Sequence, residues 1–358
     1  MIDLVGAGAN MRGMPKLTSL CLAFFAFAVI GSSAVQAAAS SGSMDLLLRP
    51  ETPTVVAMPG VQIRQMPGKL RVEINGELFT EYIYEGANRP YLYPIIGPKG
   101  LAMTRNWPMK DAPGEEHDHP HHRSIWIAHF DINKVDFWTD PSGKGRTVHD
   151  KFIEMKSGPD AGVIHAMNKL VLTNGTQIGG EETKITIHNV PGARLMDFEI
   201  TLHASNGAIV MGDNKDGFFA IRLADSMRLT RPASQPVGVG HIVNSEGIRD
   251  AQAWGKRASW VDYYGPVEGN IVGVAMFDNP ANPRYPTWWH VRDYGLFAAN
   301  PFGIHDFESK PAGTGDMTIA AGSSVTFKYR VYLHEGDEVQ GKVKERFEEY
   351  AKTTKPQP

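Results

Sequence analysis

Cysteine is almost absent from this sequence of 358 residues, and the single one, Cys21, lies in a short apolar run near the N-terminus. That run, residues 17–30, follows basic residues and precedes small ones, which is the order found in a secretory signal peptide. We expect cleavage near Ala37, so that residues 1–37 are removed and the mature chain has no cysteine. Disulfide bonds, thiol catalysis, zinc–thiolate sites and iron–sulfur clusters are thereby excluded.

A charge imbalance and long apolar runs are missing as well. The 36 lysines and arginines nearly match the 39 aspartates and glutamates, and a net charge of -3 argues against a nucleic acid partner. The run of residues 17–30 is too short to cross a bilayer comfortably, so after signal cleavage we expect no membrane contact. The sequence therefore predicts a bacterial protein that is periplasmic or secreted.

Motifs of several large enzyme classes are also absent. The sequence contains no glycine-rich phosphate loop, no serine nucleophile elbow and no HExxH pair. Phosphoryl transfer on a phosphate loop, serine hydrolysis on an α/β-hydrolase fold and zincin-type proteolysis are therefore not predicted.

Alternation of apolar and polar residues is the dominant pattern that is present. Its longest run covers residues 325–334, as in a strand with one buried face. Asn-Gly pairs at residues 75–76 and 174–175 indicate tight hairpin turns. We therefore predict an all-β fold, a large antiparallel β-sandwich over residues 61–335, preceded by a linker at residues 38–60.

One helix is predicted, at the C-terminus. Val339, Val343, Phe347 and Tyr350 recur at helical spacing among charged residues, so residues 336–358 are interpreted as a short helix and a tail. No internal repeat of fixed period is found, which argues against a propeller.

The densest group of reactive side chains lies in residues 115–123, which contain four histidines, three acids and one arginine. This polar loop leads into an apolar strand, and rigid scaffolds commonly present their sites on such loops. Histidine transfers protons near neutral pH, and arginine stabilises developing negative charge. The predicted catalytic residues here are His119, His121, His122 and Arg123, and Glu116 is predicted to bind substrate.

A metal site is the alternative interpretation of the same loop. His117, His119 and His121 alternate, which places them on one face of an extended chain. With Glu116 or Asp118 they would form a site for a divalent transition metal such as zinc, manganese or iron. No other cofactor is indicated.

Three later segments add candidate residues. Residues 212–217 form a polar turn before an apolar strand, and residues 136–138 place an acid beside aromatic rings. Residues 279–303 combine aromatic rings with basic side chains, which suits a sugar whose C–H face packs on a ring. Asp216 is a predicted catalytic acid or base. The predicted substrate-binding residues of these segments are Asp136, Trp138, Lys215, Trp288, His290, Arg292 and His305.

These segments resemble a bacterial exported family that carries the label PmoA-like or methane oxygenase PmoA. The resemblance lies in residues 116–126, 136–138, 212–219 and 285–290. It implies a galactose-mutarotase-like β-supersandwich, in which histidine and a carboxylate on a concave sheet face move protons on a sugar. Because the sequence has no spanning segment beyond the signal, membrane-bound methane oxidation is not expected.

The sequence leads to three functional hypotheses. The leading one is an exported carbohydrate-active enzyme that uses histidine and carboxylate acid–base chemistry for epimerisation, β-elimination or hydrolysis of a sugar. The alternatives are a metal-dependent enzyme with a histidine-cluster site and a non-catalytic glycan-binding module. The expected partner is a carbohydrate or another small polar substrate, and the oligomeric state is left open.

Overall fold

The structure is a computed structural model that describes residues 59–140, 143–230 and 240–353. The predicted signal peptide of residues 1–37, nearly all of the predicted linker of residues 38–60 and the last five residues lie outside these ranges. The described residues belong to one compact unit. The division of the chain into signal, linker, sandwich and tail stays a prediction.

Strands dominate the described part of the chain. In chain order they are Val61–Met66 (β1), Lys69–Ile74 (β2), Glu77–Ile83 (β3), Tyr91–Leu92 (β4), Ile125–His129 (β5), Gly145–Lys156 (β6), Ala161–Leu172 (β7), Gln177–His188 (β8), Arg194–His203 (β9), Ile209–Met211 (β10), Gly217–Arg222 (β11), His241–Asn244 (β12), Trp260–Val267 (β13), Asn270–Asp278 (β14), Trp288–Val291 (β15), Leu296–Asn300 (β16), Met317–Ile319 (β17) and Ser324–Glu335 (β18). The two α-helices are Ile304–Glu308 (α1) and Val343–Lys352 (α2). No helix among the described residues is long and apolar enough to cross a membrane.

Two eight-stranded antiparallel sheets pack face to face. The strand order is β1-β2-β3-β4-β5-β11-β16-β15 in the first sheet and β12-β13-β14-β18-β9-β8-β7-β6 in the second, while β10 and β17 pair separately. Phe219 of β11 lies in the interface, with its ring centroid 4.5 Å from Phe198 of β9 and 5.3 Å from Tyr329 of β18. The predicted all-β antiparallel sandwich is confirmed.

Alternation decides which side chains enter the space between the sheets. Phe327 and Tyr329 of β18 are fully buried in the core, whereas Lys328 between them is only half-buried. Removal of this apolar surface from water is the main stabilising contribution to the fold. The Asn-Gly pair at residues 75–76 joins β2 to β3 with positive φ at both positions, as its tight turn requires.

The outer face of the first sheet carries a second, smaller group of buried side chains. Trp126 of β5 pairs with Ala220 of β11, and Ala298 of β16 pairs with both Ala220 and His290 of β15. Because side chains alternate along a strand, Trp289 points to the opposite side and lies in the main core. The row of side chains from Trp126 to His290 forms the base of a site whose walls are the surrounding loops.

Helix α2 covers part of the outer face of the second sheet. Val343 and Tyr350 are buried against a cluster that includes Phe277. The helix begins at Val343, so the helical face predicted from Val339 starts one turn too early, and Val339 is 74 % exposed. The physical reason is the turn before the helix, where the Asp337 carboxylate accepts the backbone N–H of Val339.

Candidate active site

A pocket of about 510 Å³ opens on the outer face of the first sheet. The histidine-rich loop before β5, the segment after β5, the turn before β11 and the β15–β16 hairpin all contribute to its walls. Eight predicted site residues that are far apart in the sequence meet here. They are His119, His121, His122, Trp138, Lys215, Asp216, His290 and Arg292.

His119 is held by a network of charges beneath the loop. Its Nδ1 lies 2.7 Å from Oδ2 of Asp118, whose other oxygen accepts hydrogen bonds from Arg105 and Arg222. Burial alone would raise the pKa of Asp118, but the hydrogen bond from His119 and the charges of the two arginines hold that pKa well below its usual value. Asp118 is therefore an ionised acceptor. When the His119 ring carries one proton, its Nδ1 donates to this carboxylate and its Nε2 is left as a proton acceptor.

Two further histidines of the loop pack edge to face, with ring centroids 4.4 Å apart. Burial, followed by the charge of Arg89, lowers the pKa of His121 to about 3, and burial also lowers the pKa of His122 well below its usual value. Nδ1 of His122 accepts a hydrogen bond of 3.1 Å from Arg222. Nδ1 of His121 is buried and has no hydrogen-bond partner among the described residues. Both rings are thus neutral near pH 7.

Strand β15 and the turn before β11 bring His290 and Asp216 together. His290 is 2 % exposed, and its Nδ1 accepts a hydrogen bond of 2.8 Å from the indole N–H of Trp254. Burial, followed by the charge of Arg292, lowers the pKa of His290 well below its usual value. The single proton of this neutral ring is therefore on Nε2, which lies 3.6 Å from Oδ1 of Asp216. The other Asp216 oxygen accepts a hydrogen bond of 2.9 Å from Lys215.

Aromatic rings complete the pocket wall. Tyr294 lies parallel to His119 at a centroid distance of 5.0 Å, and Trp138 lies edge-on to His121 at 6.2 Å. The guanidinium of Arg292 lies 5.3 Å from the centre of the Tyr294 ring. Flat apolar faces beside polar side chains suit the C–H face and the hydroxyls of a sugar.

Two predicted residues of the histidine-rich segment lie outside this pocket lining. Arg123 forms an ion pair of 3.0 Å with Asp140, and Glu116 forms one of 2.7 Å with Arg228. In each case a nearby opposite charge holds the side chain away from the pocket. Their catalytic and binding roles stay predictions.

Three predicted substrate-binding residues also lie outside the lining. The Asp136 carboxylate accepts the backbone N–H of Trp138 at 2.7 Å, so it stabilises the turn that positions this tryptophan. The Trp288 indole donates to Glu308 at 2.8 Å, and the His305 ring contacts the backbone carbonyl of Lys310. Their roles in binding stay predictions.

The three predicted metal ligands are not brought together. His117 stacks on Trp107 at a centroid distance of 3.9 Å, whereas His119 stacks on Tyr294. The loop is not extended, because His119 has a φ of 43°, and this breaks the alternation on which the metal interpretation depended. Within residues 59–140, 143–230 and 240–353, no group of three His, Cys, Asp or Glu side chains is arranged to hold a metal ion. The donor set described here does not fit a metal site.

Three residues that support the site from below, Arg105, Arg222 and Trp254, are not predicted from the sequence. Arg105 and Arg222 are fully buried and together hold Asp118. Arg222 is the last residue of the apolar strand β11, and a charged residue at that position could have indicated a functional role. Arg105 and Trp254 lie in segments with no local pattern that indicates a role.

Solved structures similar to this chain include carbohydrate-active enzymes and a mutarotase-like protein. An α-galactosidase from Lactobacillus brevis is 11% identical, with a TM-score of 0.36 over 78% of this chain and 40% of that chain. A polysaccharide lyase is 11% identical, with a TM-score of 0.35 over 80% of this chain and 34% of that chain. A galactose mutarotase-like protein from Lactobacillus casei is 10% identical, with a TM-score of 0.31 over 77% of this chain and 100% of that chain.

These likenesses are distant. This chain spans only about two fifths or less of the α-galactosidase and the lyase. No curated protein matches the sequence. Residues 69–348 match the sequence model of a family of unknown function, DUF6807.

Proposed function

Because the chain belongs to the family of unknown function DUF6807, its activity must be inferred from its site, and we propose that it is an exported enzyme acting on a sugar by histidine–carboxylate acid–base chemistry. The observation that carries the proposal is that one pocket is lined both by His119, which Asp118 orients, and by the Asp216–His290 pair. The reaction class is epimerisation, β-elimination or hydrolysis. The resemblance to the PmoA-like family stays a prediction.

His119 is the proposed proton acceptor. Asp118 fixes the proton on Nδ1, so Nε2 can take a proton from a sugar carbon or hydroxyl while the carboxylate stabilises the imidazolium that forms. The ion pairs of Asp118 with Arg105 and Arg222 keep this carboxylate ionised and in place. A base oriented in this way by a third group is the usual arrangement in acid–base catalysis.

His290 and Lys215 are the proposed donors. The Nε2–H of neutral His290 can hydrogen-bond to the sugar oxygen on which negative charge develops, and the ammonium of Lys215 can protonate it. Asp216 lies between these two groups and can accept a hydrogen bond from a sugar hydroxyl. Fixed donors in a partly closed pocket stabilise such charge more strongly than water does.

The test is a product screen with the purified chain. The protein is incubated with oligosaccharides of varied linkage, and products are identified by mass spectrometry and NMR. For the substrate found, His119→Gln should lower kcat about 10²- to 10⁴-fold, because glutamine cannot accept the proton. The matched control is His165→Gln in β7, since His165 lies on the outer face of the second sheet beside Glu182 and should leave kcat unchanged.

Two results would contradict the proposal. One is a kcat that survives His119→Gln. The other is saturable sugar binding without any product, which would favour the glycan-binding alternative.

A further inference from the structure

We propose that the sugar recognised at this pocket carries a carboxylate group and that Arg292 binds it. This inference rests on the proposed function, because it names the substrate class for the same site. It is supported by the position of Arg292 in the pocket and by the absence of a counter-ion for this side chain among the described residues, whereas the other charged side chains nearby have partners.

Arg292 lines the pocket from a hydrogen-bonded turn. It is the first residue of the turn between β15 and β16, where its backbone N–H donates to Leu296 at 2.7 Å and its carbonyl accepts from Gly295 at 3.1 Å. Its guanidinium packs on the Tyr294 ring and forms no ion pair or hydrogen bond with any other described residue. The planar guanidinium of Arg292 therefore lies in a sugar-sized pocket with N–H groups that are available to a ligand.

The other arginines around the site already use their donors. Arg89, beside His121, donates to the backbone carbonyls of His121, Phe137 and Trp138. Arg105 and Arg222 both bind the Asp118 carboxylate. Arg123 binds Asp140, at a distance of 3.0 Å. Since each of these guanidinium groups is already bound to a carboxylate or to backbone carbonyls, the free guanidinium of Arg292 is a distinct feature rather than one member of a general basic surface.

Lys215, Arg292 and Asp216 together give the pocket lining an excess of one positive charge. Lys215 is neutralised by Asp216 at 2.9 Å, which leaves Arg292 as the unpaired cation among the described lining residues. Burial keeps His121 and His290 neutral near pH 7, so they add no charge. A neutral sugar would leave this cation without a counter-ion, whereas a uronate would supply one with matching planar geometry.

Arg292 also lines a second hollow of about 300 Å³ beside the pocket. Trp254 and Asp293 contribute to that hollow, and the Asp293 carboxylate accepts from the Thr230 hydroxyl at 3.2 Å rather than from Arg292. The guanidinium therefore stands at the junction of two concave surfaces. A uronate bound there can continue into a neighbouring sugar unit over the Trp254 ring.

The experiment compares each acidic sugar with its own neutral ester. Calorimetric titrations use His119→Gln protein, in which turnover is blocked, with di- and trisaccharides of galacturonate, glucuronate and mannuronate and with their methyl esters. At least one acid should bind about 10-fold or more tightly than its ester, as expected for a charge-assisted hydrogen-bonded pair. Arg292→Met should abolish this preference, while Arg64→Met, an exposed arginine on β1, should retain it.

The carboxylate assignment is overturned by equal affinity for acids and esters, by absence of binding to every uronate, or by a preference that survives Arg292→Met. Failure of the proposed function has a different signature. Turnover of a neutral sugar that is lost in His119→Gln would support the proposed function and contradict the carboxylate assignment. A preference for uronates without any product in the native protein would support the carboxylate assignment and contradict the proposed function.

Discussion

At the scale of single residues, Asp118 links the buried charges to the chemistry. It receives hydrogen bonds from two buried arginines on one side and orients His119 on the other. Removing its charge would leave Arg105 without a carboxylate partner and Arg222 with only Asp225, 4.0 Å away, in a place with little water, which is costly in proteins. Its side chain keeps 29 % exposure, so this cost is smaller than for a fully enclosed pair.

Asp118→Asn should therefore lower the free energy of unfolding at pH 7 by roughly 2 kcal/mol. The pKa of Asp118 in the folded protein lies below its ordinary value of 3.8. The stabilisation is thus present above pH 3.8 and is lost as the pH falls further. Urea denaturation at pH 7 and pH 3 should show a difference between native protein and variant that shrinks in acid. Asp160→Asn, at an exposed acid, should show none. A difference that is constant with pH would contradict the pKa argument.

Glu181 is a second acid whose burial has a measurable consequence. It lies on β8 between the sheets, where Asn168 donates to it at 3.1 Å and Thr183 at 3.3 Å. Burial is the main reason that its pKa rises from 4.5 to about 7. The folded protein therefore retains a proton that the unfolded chain loses between pH 4.5 and 7, and this acid makes stability fall as the pH rises through that window.

Glu181→Gln should remove that loss. Relative to the native protein, the variant should gain roughly 1–3 kcal/mol of unfolding free energy between pH 5 and pH 8. Guanidinium titrations at the two pH values provide the measurement, and Glu77→Gln at an exposed position of β3 is the control. An equal change in both variants would show that Glu181 is ionised at no extra cost.

Much of the pocket lining could be predicted from residue chemistry alone. The histidine cluster, Lys215–Asp216 and His290–Arg292 stood out because reactive side chains gathered beside apolar strands. The residues that hold the site could not be predicted, because Arg105 and Arg222 act through contacts with Asp118 that only the fold creates. The alternation of His117, His119 and His121 did not predict the local backbone, because His119 has a positive φ that an alternating pattern does not show.

At the scale of elements, the strand pattern was readable because each sheet has one face in the common core. The first residue of α2 could not be predicted in this way, because Val339 fits a helical spacing but lies in the turn before the helix. What holds α2 is its contact with the second sheet. The Tyr350 ring lies 6.1 Å from that of Phe277, and its hydroxyl accepts from Asn279 at 3.1 Å.

Tyr350→Ala should accordingly destabilise the protein by about 3–5 kcal/mol, because it removes a buried ring from the seam between α2 and β14. Tyr350→Phe keeps the ring and loses only the hydrogen bond, so it should cost about 1 kcal/mol. Thermal and urea unfolding would measure both, with Glu348→Ala on the exposed side of α2 as the control. Equal losses for the two tyrosine variants would argue against packing as the main contribution.

At the scale of the whole molecule, the order of strands in space departs most from the order in sequence at β18. This strand lies in the second sheet between β9 and β14 and pairs with both. A sheet interior depends on partners on both sides, and two open edges expose unpaired backbone groups. The sequence pattern predicted β18 as a strand but contained no sign of its central place.

A chain that ends at residue 323 should therefore fail to fold, although it loses only one strand and the C-terminal helix. We expect no cooperative unfolding transition and extensive aggregation, measured by circular dichroism and size-exclusion chromatography. A chain that ends at residue 342 keeps β18 and should retain a cooperative, though weaker, transition. A compact, cooperative product from the shorter chain would refute the central role of β18.

The position of β18 also sets when the protein can fold during synthesis. The ribosome completes β9 at residue 203 and β14 at residue 278, before it makes β18 at residues 324–335. The nascent chain therefore carries two unfinished half-sheets during the last part of its elongation. The second sheet can be completed only after β18 has been synthesised, near the end of the chain. Until then the edges of β9 and β14 that β18 later covers are open to pairing with other chains.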